Sequence, residues 1–162
     1  MKLAVTDANI FIDLIKIDCL HYLFQLKISL HTTAEVLAEL YDEQQAEIRK
    51  YIKSKQLKLD WGLNYQKDFM DKLGNALAPA DKSVFYYALH LKSGILTGDY
   101  LLREKAGKYF EVHGILWLLD KFVDAEFLTG NEVCKKLDIL ILYKCRLPKK
   151  ECEKLMKKWK GK

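Results

Sequence analysis

The chain has 162 residues, half of them hydrophobic, only two prolines, and a formal charge of +5. That length suits one domain with a single substantial core, and the composition excludes a disordered chain. No run approaches the ~18 apolar residues of a membrane span, and Met1-Lys2-Leu3-Ala4-Val5 is too short an apolar run for a signal peptide. The mild positive charge permits contact with nucleic acid without establishing it. Cys19, Cys134, Cys145 and Cys152 show no close metal-type spacing and read as reduced thiols of a cytoplasmic protein.

In chain order, the pattern predicts a strand over Leu3–Thr6, a turn at Asp7-Ala8-Asn9 and a short helix from Ile10 towards Ile15. A second helix is predicted around Cys19–Leu26. Ile28-Ser29-Leu30 reads as a second strand, with His31-Thr32-Thr33 leading into helix from Ala34 to about Ser54. Leu57-Lys58-Leu59 alternates like a strand, and Asn64–Leu73 reads as helix. Pro79–Leu91 is predicted helical with proline in its first turn. Gly94–Thr97 then predicts a strand, Asp99–Lys108 a helix and Glu111-Val112-His113 a last short strand. Helices are expected over Ile115–Val123, Glu132–Leu142 and Pro148–Trp159. Short apolar strands alternating with helices call for an α/β fold, a central and mainly parallel sheet flanked by helices. In such sheets ligands bind beyond the carboxyl ends of the strands.

Four acids stand out against apolar or small neighbours: Asp7, Glu39, Asp81 and Asp99. Carboxylates beside a core are costly unless paired, hydrogen-bonded or bound to a cation. Asp7 and Asp99 close two strand-like runs, although each also suits the N-cap of the following helix. At about 100° per residue, Val36, Leu37 and Leu40 define a buried stripe, and Glu39 lies beside it. The same step puts Asp81 on the inward face formed by Val84, Phe85, Ala88 and Leu89. The helix dipole also favours an acid in that first turn, but it would accept one facing outward. Brought together, these acids make an oxygen-rich site for a hard divalent metal and point to phosphodiester chemistry. Asp7 is then a ligand, and Asn9 a hydrogen-bonding support for it or for the metal's water. No histidine has an evident catalytic place: His31, His90 and His113 fall at element ends and His21 in a packed helix.

These residues resemble a PIN domain, the small α/β ribonuclease fold of many prokaryotic toxins, including the VapC-like group, and of eukaryotic RNA-processing factors. Asp7-Ala8-Asn9 is similar to the family's opening motif, and "TAEVLAEL" (Thr33–Leu40) to the segment carrying its glutamate, here Glu39. "LAPADKSVFYYAL" resembles the third-acid motif with Asp81, and "GILTGDYLLREKA" the last motif, with Asp99 as acid and Thr97 as a neighbour of the site. "VHGILWLLDKFV" is similar to the strand and helix that follow in bacterial and archaeal members. One departure is Tyr86 and Tyr87, where many toxin-type members carry small residues. The resemblance implies a nuclease domain over residues 1–128 and a helical extension over 129–162 packed on it. It implies hydrolysis of single-stranded or looped RNA with one or two Mg2+ or Mn2+ ions. Asp7 and Asp99 would be direct ligands, Asp81 direct or through water, and Glu39 more peripheral. A toxin–antitoxin pair, an antitoxin partner and a homodimer are further expectations it carries.

A noncutting PIN-like module that holds RNA or protein is the alternative from another class, and four intact acids argue against it. A phosphohydrolase or receiver-like protein ranks third, because Asn9 stands where a haloacid-dehalogenase-like motif wants a second acid. Two basic regions remain. Lys149–Lys162 carries Cys152, Leu155, Met156 and Trp159 at helical spacing, so its lysines read first as a solvated outer face. Arg49, Lys50, Lys53, Lys55 and Lys58 are interleaved with Tyr51 and Trp61, a mixture suited to single-stranded RNA or to ordinary surface.

Overall fold

A computed structural model describes residues 1–60, 71–143 and 146–161. The five strands are β1 (Leu3–Thr6), β2 (Ser29–Thr33), β3 (Leu57–Asp60), β4 (Gly94–Leu96) and β5 (Val112–His113), all parallel in the order β3-β2-β1-β4-β5. Their buried apolar and β-branched residues suit a sheet covered on both faces. In register, Val5 pairs with His31 on one side and Ile95 on the other, so β1 lies at the centre. The chain first builds outward through β2 and β3, then returns past β1 to β4 and β5. Strand order therefore reverses at β1/β4, where α/β sheets open a crevice at their carboxyl edge.

The helices among the described residues are α1 (Ala8–Lys16), α2 (Leu20–Gln25), α3 (Ala34–Ala38), α4 (Asp42–Lys53), α5 (Pro79–Leu91), α6 (Tyr100–Ala106), α7 (Ile115–Asp124), α8 (Gly130–Tyr143) and α9 (Lys149–Lys160). Helix α5 packs on β1, β2 and β4 and touches α3 and α6, while α1 packs with α2, α4 and α7. Two helical layers thus sandwich the sheet. Apart from β2, which runs three residues past its expected end, the predicted strands and most helices are present within a residue or two of their expected ends, and Pro79 opens α5 as expected. The helix expected over Asn64–Leu73 falls largely outside the described residues, as do Trp61 and Cys145.

One helix expected from Ala34 to Ser54 is instead two. Helix α3 ends at Ala38 with Glu39 as its C-cap, and Tyr41 is extended (φ −65°, ψ 157°). Two glutamines hold the break. The Tyr41 N–H donates to Gln44 Oε1 (3.0 Å), and Gln45 Nε2 donates to the Leu40 carbonyl (3.0 Å). These side chains satisfy backbone groups that a helix end leaves open, a competition that apolar spacing does not register. Glu39 consequently sits at a helix end rather than on a helix flank, and it is exposed.

Three smaller expectations are corrected. Leu89 is 44% exposed, and Ser83 and Tyr87 are buried on α5 instead. His31 lies in the middle of β2, buried, because the strand runs on to Thr33. His21 is exposed on α2 rather than packed.

The two last helices close over α7. Trp159 is fully buried, and its Nε1 donates to Asp120 Oδ1 (2.9 Å), beside the Lys158 ammonium on the same carboxylate (2.7 Å). Gly130 opens α8 against the Trp159 carbonyl so closely that a Cβ there would overlap it. Cys152 is buried on α9 along with Trp159, and Cys19, Cys134 and Cys152 are all free thiols. No helix among the described residues is long and apolar enough to cross a membrane.

Candidate functional site

Asp7 follows β1 directly and is 2% exposed. Its backbone N–H donates to the Leu96 carbonyl (3.0 Å), tying the ends of β1 and β4 together. Asp7 Oδ1 accepts the Ile10 N–H (3.1 Å), the cap of α1. Asp7 Oδ2 accepts the Thr97 hydroxyl and the Gly98 N–H (3.3 Å). The capping role and the site role therefore belong to different oxygens of one carboxylate. Thr97, expected beside the site, supports Asp7 directly, and Asn9 lies against Gly98, where a Cβ would come within 3.1 Å of its own.

Thr97 is the joint of the site. It is fully buried, its N–H donates to the His113 carbonyl (2.9 Å), and its Oγ1 accepts the Asp99 N–H (3.0 Å) while donating to Asp7. A hydroxyl has one proton and two lone pairs, so the same atom can position both acids. Asp99 is half-buried and caps α6, with Oδ1 accepting the Leu102 N–H (2.7 Å).

Asp81 is half-buried in the first turn of α5. Burial pushes its carboxyl up to about 6, and the negative charges of Asp99, Asp7 and Glu39 push the same way. Those three influences place all four sequence-predicted acids within electrostatic reach of one point. A carboxyl perturbed by burial and by specific charged neighbours is a candidate functional group. Only a hydrogen bond from the Ala78 backbone works in the opposite direction.

Helix α5 is held against β2 by two polar contacts that sequence reading missed. Ser83 Oγ donates to the Ala80 carbonyl (2.6 Å), which leaves it to accept from Thr33 Oγ1 (2.7 Å). Thr33 Oγ1 in turn accepts the Val36 N–H (3.2 Å), capping α3. Further along, His31 Nδ1 and Tyr87 Oη are 2.9 Å apart. Burial, aided by Lys58, lowers the His31 pKa, while burial raises that of Tyr87. The departure at Tyr87 thus has a structural use. Arg103 was also missed: its Nη2 donates to the Thr97 carbonyl (3.2 Å) from four residues beyond Asp99. Gly114 makes room for it, since a Cβ there would meet the guanidinium.

The donor set at the four acids is all oxygen, which suits magnesium or manganese. Among the described residues no three acidic, imidazole or thiol side chains stand close enough to enclose one ion. The basic mixture of α4 and β3 is altered by packing: Tyr51 stacks on Phe24 (3.7 Å, 11°).

A family model described as a PIN domain matches residues 3–161. No curated protein matches the chain. The match continues through α8 and α9 almost to the last residue.

Proposed function

This chain belongs to the PIN-domain family, whose members are in general nucleases, and on that premise we propose that it is a metal-dependent endoribonuclease. The observation that carries the reading is the joining of Asp7 and Asp99 by the Thr97 hydroxyl, with the half-buried Asp81 carboxyl near enough for both their charges to act on it. Four like charges at the carboxyl edge of a parallel sheet repel unless a cation joins them. When bound, a divalent ion supplies Lewis-acid activation of water and neutralises charge at the phosphate.

The chain's own residues prepare that site. Thr97 and Gly98 turn Asp7 Oδ2 and fix its lone pairs, and the Asp99 backbone is set by the same hydroxyl. We assign Asp7 and Asp99 as direct ligands, Asp81 as a direct or water-mediated one, and exposed Glu39 as the peripheral member. Asp81, with its raised pKa, would exchange its proton for the cation below about pH 6 and meet it already ionised at neutral pH. Single-stranded or looped RNA is the proposed substrate, and the toxin half of a toxin–antitoxin pair the proposed role.

The test is cleavage of a mixed single-stranded and transfer RNA panel with manganese, magnesium or chelator. Wild type and an Asp7→Asn, Asp81→Asn variant, purified identically, run side by side. Discrete, metal-dependent cutting absent from the variant supports the reading. Equal products from both proteins would take the cutting away from these acids, and RNA binding without cutting by folded, metal-binding wild type would move the assignment to a noncutting module.

A further inference from the structure

A second feature adjoins the acids on the β5 side. A groove of about 260 Å³ runs between β5, α6, α7 and α9. Its walls include Arg103, His113, Trp117, Pro148, Glu151 and Leu155. The His113 and Trp117 rings are stacked, with centroids 4.2 Å apart and planes 6° from parallel. Both are only partly buried. Arg103 forms no ion pair among the described residues, and its bond to the Thr97 carbonyl uses a single donor of the five a guanidinium carries.

We propose that this groove seats one unpaired base of the RNA next to the scissile phosphate, an inference that rests on the nuclease reading above. Three observations converge. First, Arg103 links the two places: it lines the groove while its Nη2 holds the carbonyl of Thr97, the residue whose hydroxyl orients Asp7. The groove therefore lies at the β5 end of the same carboxyl edge, with Arg103 one helical turn beyond Asp99. Second, the chemistry matches a base. His113 covers one face of Trp117, and the Lys121 ammonium stands 5.6 Å from that ring's centroid. The partly exposed His113 ring, backed by Trp117, is therefore what offers stacking to a base. The guanidinium donates to ring acceptors or to phosphate, and the Glu151 carboxylate accepts from exocyclic amines. Third, the size suits one base, since about 260 Å³ falls below the ~300–1,000 Å³ of drug-sized sites.

The experiment measures RNA affinity rather than cutting. Labelled single-stranded oligonucleotides, each with one abasic ribose at a successive position, are titrated with the Asp81→Asn protein in magnesium. Loss of a stacked base should weaken binding about 5- to 150-fold at one position and little elsewhere. In the same background, His113→Ala and Trp117→Leu should weaken the intact RNA and erase that positional penalty. Trp117→Leu keeps apolar bulk and His113→Ala removes a partly exposed side chain, so two independent folded variants address the claim. A flat abasic profile, or a positional penalty unchanged in both variants, overturns the groove while leaving the nuclease reading standing. Absence of RNA binding by the parent protein overturns both. A flat profile with self-association that the two variants abolish would assign the groove to a second copy of the chain.

Discussion

Replacing Asp81 by Asn should stabilise the metal-free protein at neutral pH and not at acid pH. Folding moves this carboxyl from 3.8 to about 6, chiefly through burial and then through its acidic neighbours. At about 1.4 kcal/mol per pH unit, the full shift amounts to roughly 3 kcal/mol. Asp81 is only half-buried, so solvent screening reduces this to about 1–2 kcal/mol. The helix dipole's preference for an acid in the first turn, about 0.3–1 kcal/mol, favours the lower end. Below pH 4 the acid is protonated in both states and no penalty exists. Between pH 4 and 6 the unfolded chain releases a proton that the folded chain keeps, so stability falls as pH rises. Above about 6 the penalty is complete. Urea unfolding of both proteins in chelator at pH 4, 5, 6 and 7 measures the difference, provided the transitions are two-state. Equal stability differences at pH 4 and 7 would refute the proposed convergence of charges on Asp81.

Manganese at 100 times its dissociation constant should stabilise wild type at pH 7 by about 2.7 kcal/mol, read as a raised Tm. The Asp7→Asn, Asp99→Asn variant should show no such rise. Thr97→Val removes the hydroxyl that serves Asp7 and Asp99 and should cost about 1–3 kcal/mol in urea unfolding, with RNA cleavage reduced as well. Gly130→Ala forces a methyl into the Trp159 carbonyl and should cost at least about 1–3 kcal/mol. Gly161→Ala, whose Cβ would make only ordinary contacts, should stay within about 0.5 kcal/mol in the same melts.

What the sequence determined by itself was everything carried by neighbours a few residues apart. Apolar runs marked β1 and β4, Pro79 marked the start of α5, and the acids closing those runs marked the carboxyl edge of a parallel sheet. Such signals are local because strand and helix periodicities repeat within one turn or pleat. The interruption at Leu40–Tyr41 escaped them, although local, because it depends on which backbone groups Gln44 and Gln45 choose to satisfy. The tertiary structure alone decided the rest. It placed β4 beside β1, so that Thr97 reaches Asp7 across 90 residues of sequence. It joined β2 to α5 through Thr33–Ser83 and His31–Tyr87, and it laid Arg103 over Gly114 at the mouth of a groove that α9 completes. Contacts of this kind arise from strand order and helix packing, so no spacing along the chain encodes them.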